Sequence, residues 1–132
     1  MVLQAWGTYG TLWPVVHHQL GISPDIGRGS LAVVPQIPDG QDRVAATNVR
    51  LGTGSVDVTA LRSRSALTTT VARHLTADLL IGHVLPDGAQ VTTVTLNGKT
   101  AKYDLRSTAR GREVVVQAPG RSGSSTLVVS YR

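Results

Sequence analysis

The side chains that could carry acid–base or metal chemistry are eight carboxylates and four histidines: Asp25, Asp39, Asp42, Asp57, Asp78, Asp87, Asp104 and Glu113, with His17, His18, His74 and His83. Hydrolysis of a glycoside needs two carboxyl groups flanking one bond, and no spacing among these acids implies such a pair. Asp39 and Asp87 stand in Pro-Asp-Gly tripeptides, where aspartate turns the backbone through its own side chain. Asp57 and Glu113 fall in separate predicted strands and are expected to face solvent. His17 and His18 are neighbours on a predicted helix, so their side chains diverge by about 100° and cannot share a metal as an i, i+4 pair can. His74 and His83 belong to separate strands, with no third ligand nearby in sequence. These residues predict no catalytic group, no metal site and no cofactor.

Three partial motifs fail on context. Gly27-Arg28-Gly29-Ser30-Leu31-Ala32 spells a loose dinucleotide fingerprint. It follows a turn and leads into a strand, whereas the fingerprint must leave a strand and open a helix. Gly98-Lys99-Thr100 copies the tail of a phosphate loop, but Thr93 occupies the place of its first glycine. No serine has glycine two residues before and two after, so there is no hydrolase nucleophile elbow. Cysteine is absent, which excludes disulfides and thiolate chemistry.

Composition narrows the partners. The 132 residues are 41% hydrophobic and 16% charged, enough for one folded domain with an ordinary core. The net charge of +5 rests on eleven arginines and two lysines scattered from Arg28 to Arg132. A nucleic-acid surface would gather cations and interleave stacking rings. Here Trp6, Tyr9 and Trp13 lie away from most arginines, so nucleic acid is not an expected partner. No apolar run reaches membrane-spanning length, and the N-terminus lacks the pattern of a signal peptide. No membrane association is expected, and a cytoplasmic location is the default.

The elements that must position these residues change period along the chain. Trp6, Tyr9, Trp13, Val16 and Leu20 recur every three or four residues, with Leu12 beside them, which predicts one N-terminal helix. Gly21 is the expected C-cap, and Ser23-Pro24-Asp25 is expected to turn the chain. Beyond Gly29, nine short β segments follow, near residues 31–34, 44–51, 55–61, 66–73, 79–85, 90–96, 100–105, 112–117 and 126–131. Val56 and Val58 alternate with Asp57 and Thr59 as a half-buried strand requires. Asn97-Gly98 predicts a two-residue hairpin turn with both residues at positive φ. Ser122-Gly123-Ser124-Ser125 reads as a loop. The expected fold is all-β: an antiparallel β-sandwich of about eight to nine strands preceded by one helix, since no connection is long enough for crossover helices.

Sugar-binding sandwiches usually stack an aromatic ring on the pyranose. The β part offers Tyr103 and Tyr131. Tyr103 is the candidate sugar contact, with cross-strand packing as the plainer reading.

The series Ala5-Trp6, Tyr9-Gly10, Leu12-Trp13-Pro14, Leu20-Gly21-Ile22, Pro24-Asp25 and Val33-Val34-Pro35-Gln36-Ile37-Pro38 resembles a known junction. It is similar to that of bacterial glycogen-debranching-like glycoside hydrolases, in which the last helix of an (α/α) barrel passes into a C-terminal β-sandwich. The α-L-rhamnosidase-like enzymes share this layout more distantly. Gly54-Ser55-Val56-Asp57-Val58, Ile81-Gly82-His83-Val84-Leu85-Pro86 and Val94-Thr95-Leu96-Asn97-Gly98 look like the same sandwich. The resemblance implies that residues 1–22 are the remnant of the last barrel helix and residues 23–132 the C-terminal sandwich. It carries no catalytic residue onto this chain, because the family's acid and base lie in barrel loops upstream. The chain alone is therefore not expected to be an enzyme. It would be an accessory, stabilising domain of an α-glucan-acting glycoside hydrolase, with the barrel as partner. Trp6, Tyr9, Leu12, Trp13 and Val16 would make the inter-domain contact. Two alternatives stand beside it: a freestanding carbohydrate-binding module taking α-glucan, and a structural β-domain that self-associates through the N-terminal helix.

Overall fold

The computed structural model describes Gly10 and residues 12–132. Eleven strands form two sheets. They are β1 (Ile22–Asp25), β2 (Ser30–Val33), β3 (Arg43–Leu51), β4 (Gly54–Arg62), β5 (Ala66–His74), β6 (Asp78–Val84), β7 (Val91–Leu96), β8 (Lys99–Thr100), β9 (Asp104–Thr108), β10 (Gly111–Gln117) and β11 (Gly123–Tyr131). One sheet has the order β1-β2-β6-β10-β9 and the other β3-β4-β5-β11-β7-β8.

The all-β sandwich agrees with the alternation in the sequence, and three details correct the expectation. First, there are eleven strands rather than eight or nine. Ser23-Pro24-Asp25 belongs to β1, which pairs with β2 from Ile22↔Val33 to Asp25↔Ser30. A proline is tolerated there because β1 is an edge strand, where a missing N–H forfeits no ladder bond. The segment at 100–105 divides into β8 and β9. Second, the sandwich is not wholly antiparallel: β2 and β6 run parallel, Leu31↔Leu79 and Val33↔Ile81. No crossover helix is needed, because β3, β4 and β5 make the connection as strands of the opposite sheet. Third, the loop expected over Ser122–Ser125 is largely strand, with Ser125 buried.

The N-terminal segment also differs from the expected helix. Gly10, Leu12 and Trp13 are helical, and Pro14–Gln19 is a π-helical turn closed by Leu20 N–H donating to Val15 O at 2.9 Å. Pro14 has no N–H and its ring crowds the preceding carbonyls, and the wider i→i+5 turn accommodates that. Gly21 ends the turn at φ 63, the left-handed conformation expected of a C′ glycine. A Cβ there would lie 1.8 Å from Val34 O. Asn97 and Gly98 have φ 51 and 80, and Leu96 pairs with Lys99, as the hairpin requires.

The core lies between the sheets. Val56 and Val58 of β4 and Leu67 and Val71 of β5 meet Leu79 and Ile81 of β6 and Val114 and Val116 of β10. Leu20 and Ile22 join them at 1% and 0% exposure, so the chain from the π-helical turn enters the core directly. Each such fully buried side chain contributes about 1.5–3 kcal/mol.

Arginines close both ends. Arg73, inward-facing at the end of β5 and 4% exposed, donates to Ala77 O at 2.6 Å, Gly120 O at 3.2 Å, Ser122 O at 3.2 Å and Pro119 O at 3.4 Å. At the opposite end Arg62 Nη2 donates to Pro38 O and Gln41 O, holding the connection from β2 to β3. A guanidinium suits this role because its planar donors reach several carbonyls at once.

Candidate functional site

Beside Arg62 a cavity of about 250 Å³ opens where the β2–β3 connection, the ends of β4 and β6, and the β9–β10 hairpin converge. Its polar lining comes from Gln36, Asp39, Arg62, His83, Asp87 and Arg110, with Leu67 and Leu85 among its apolar walls. Asp39 and Asp87 are exposed, whereas His83 is 1% exposed.

His83 is placed by alternation along β6: Leu79, Ile81 and His83 share the inward face. There Thr69 of β5 reaches it from the other sheet. Thr69 Oγ1 lies 2.9 Å from His83 Nδ1 and donates to Gly82 O at 3.0 Å. The hydroxyl has one proton, and a carbonyl can only accept. The proton between Thr69 and His83 is therefore the imidazole's own, on Nδ1, and the neutral ring keeps Nε2 as an acceptor. Burial, helped by the like charge of Arg62 and Arg110, pushes the His83 pKa down to about 3.

Arg110 has a different task. Its Nη2 donates to Val34 O at 2.6 Å and His18 O at 2.7 Å, and Nη1 lies 3.5 Å from Glu113 Oε1. Gln36 Nε2 donates to Arg110 O at 3.2 Å, and Gln36 N–H donates to Gln19 O at 2.9 Å. Glu113 is 6% exposed, which corrects the expectation that it faces solvent. It accepts from Thr108 Oγ1 at 3.1 Å as well as facing Arg110. A buried carboxylate needs such partners, and periodicity in a strand does not disclose them. Together these bonds tie the π-helical turn to the sandwich.

The other carboxylates with ion-pair partners are dispersed. Asp25 pairs with Arg28 at 3.7 Å, Asp78 with Arg121 at 3.1 Å, and Asp57 with His74 at 3.0 Å. Asp57 Oδ1 also accepts the Asn48 N–H at 2.7 Å, pinning the bulge in β3. That backbone bond, then His74, holds the Asp57 carboxyl below its usual range. Among the described residues no group of three His, Cys, Asp or Glu side chains is arranged to hold a metal.

Of the expected contact residues, Trp6 and Tyr9 lie outside the described residues. Leu12 is 56% exposed and Trp13 43%, with the Trp13 ring 3.7 Å from that of His17. Val16 is half-buried against the core. Tyr103 is exposed, between β8 and β9, and does not line the cavity. The cavity itself was not anticipated. Its residues come from five separate stretches, and only the exposed Pro-Asp-Gly turns marked two of them.

Fold and site define a two-sheet β-sandwich with a polar cavity at one end and a tethered helical turn beside it. No family model, curated protein or solved structure matches the chain. Among the described residues no helix is long and apolar enough to cross a membrane.

Proposed function

We propose that this chain is a non-catalytic accessory β-sandwich that braces the (α/α)-barrel domain of a glycoside hydrolase of the glycogen-debranching type. One observation carries the reading. The π-helical turn is bonded to the sandwich through His18 O and Gln19 O, yet Leu12 just before it and Val15 within it are 56% and 38% exposed. A segment held firmly at its base while presenting apolar side chains outward suits contact with a neighbouring domain. The resemblance of residues 4–38 to the barrel–sandwich junction supplies the nature of that neighbour. In this role Arg110 fixes the direction in which the segment leaves the sandwich.

The test is binding in trans. A separately expressed barrel of the glycogen-debranching type is expected to form a complex with this chain, weakened about tenfold or more by joint Leu12→Ser and Val15→Ser substitution. The chain alone is expected to leave glycogen, maltooligosaccharides and rhamnosides intact. Turnover of any of these by clean protein overturns the reading, as does a barrel that ignores the chain. Sedimentation over a range of concentrations separates the self-associating alternative, which predicts a dimer dispersed by the same two substitutions.

A further inference from the structure

The end cavity shares Arg110 and Gln36 with the tether of the π-helical turn, but the accessory reading makes no use of its open space or of Asp39, Arg62, His83 and Asp87 around it. We propose that it is a binding site for a small neutral polyhydroxylated ligand, one sugar ring or cyclitol in size.

The donors and acceptors argue for this class. Arg62 spends Nη2 on Pro38 O and Gln41 O, and Arg110 spends Nη2 on His18 O and Val34 O. Neither guanidinium can offer the two-pronged grip through Nη2 that recognises a carboxylate or phosphate. Arg110 is further offset by Glu113, and Asp39 and Asp87 stand at the mouth. By formal count the cavity has no surplus positive charge for an anion. A simple cation fares no better, because it would meet Arg62 and Arg110 beyond those carboxylates.

A hydroxyl group both donates and accepts, so a polyol can satisfy a mixed lining one bond at a time. Asp39, Asp87 and the Gln36 side-chain carbonyl supply acceptors, and Arg62 keeps donors beyond Nη2. His83 is uncharged and has its Nδ1 proton committed to Thr69. Leu67 and Leu85 provide apolar surface for the C–H faces of a ring. The volume of about 250 Å³ lies just below the roughly 300–1,000 Å³ of drug-sized pockets, which favours one ring over an oligomer. His83 and Thr69 make the floor rigid, and preorganisation lowers the cost of binding.

This proposal is independent of the accessory role and is tested on the full 132-residue chain. Isotope-labelled protein is titrated with D-glucose and with myo-inositol, using acetate, inorganic phosphate and glycine as charged comparators. The expected result is saturable amide shifts at residues 36, 37, 39, 83–85 and 87–89 with at least one neutral ligand. Asp87→Ala and Asp39→Ala, both at exposed turn positions, are expected to weaken that binding about tenfold. Saturation by the charged comparators alone overturns the proposal. So does the absence of saturable shifts with both neutral ligands, or binding that neither substitution weakens.

Discussion

Thr69 and His83 meet across the two sheets, with Thr69 Oγ1 2.9 Å from His83 Nδ1 and both side chains buried. One hydroxyl thereby satisfies two polar groups of the opposite sheet, the imidazole N–H and the Gly82 carbonyl. Thr69→Val keeps the shape and removes both bonds, leaving a buried donor and acceptor unpaired. The expected loss is about 1–3 kcal/mol in urea unfolding, with Thr69→Ser retaining most of the stability. A neutral Thr69→Val would show that water replaces the hydroxyl.

The same histidine makes stability depend on pH. Its folded pKa, about 3, lies below the ordinary 6.5. Between those values the unfolded chain binds a proton that the folded chain refuses, so stability falls as pH drops from about 6.5 towards 3. The slope approaches about 1.4 kcal/mol per pH unit within that window. Urea midpoints measured at several pH values are expected to show the decline, and His83→Gln is expected to flatten it. Asp57 acts lower: its depressed carboxyl pKa stabilises the fold above the ordinary 3.8, and that contribution disappears as pH falls through the folded value.

Arg73 reaches four carbonyls from inside the sandwich end. Arg73→Ala strands those acceptors and opens a space, with an expected cost of about 3 kcal/mol or more. Hydrogen exchange is expected to quicken at residues 77 and 120–122 before the rest of the sheet. Arg73→Lys is expected to recover only part of the stability, because one ammonium cannot span the four acceptors.

Gly21 joins the π-helical turn to β1. Gly21→Ala sets a Cβ against Val34 O in a backbone conformation that costs an L-residue about 1–2 kcal/mol by itself. The expected outcome is a displaced turn, detected as rapid proteolysis ahead of residue 22 while the sheets keep their signals. Unchanged protease resistance would mean that Arg110 and Gln36 hold the turn without it.

The fold class was legible because burial imposes alternation: Val56, Val58, Leu67 and Val71 had to share faces, and Asn97-Gly98 had to turn. The strand at Ile22–Asp25 was not, since Pro24 signals a break unless its edge position is known. Glu113 was misread for a related reason, because the ion pair and the hydroxyl that permit its burial come from Arg110 and Thr108.

By itself the sequence determined that two faces of short strands would bury their valines and leucines, because side-chain period is a local property of the backbone. It also located the turns at Asp39-Gly40, Asp87-Gly88 and Asn97-Gly98, where positive φ restricts residue choice. Only the tertiary structure decided that β2 runs parallel to β6 and that Arg110 anchors the segment before Leu20. It alone brought Gln36, Arg62, His83 and Asp87 around one cavity. Those outcomes depend on contacts between residues remote in the chain, and no local preference encodes which distant partner a strand end or a guanidinium will meet.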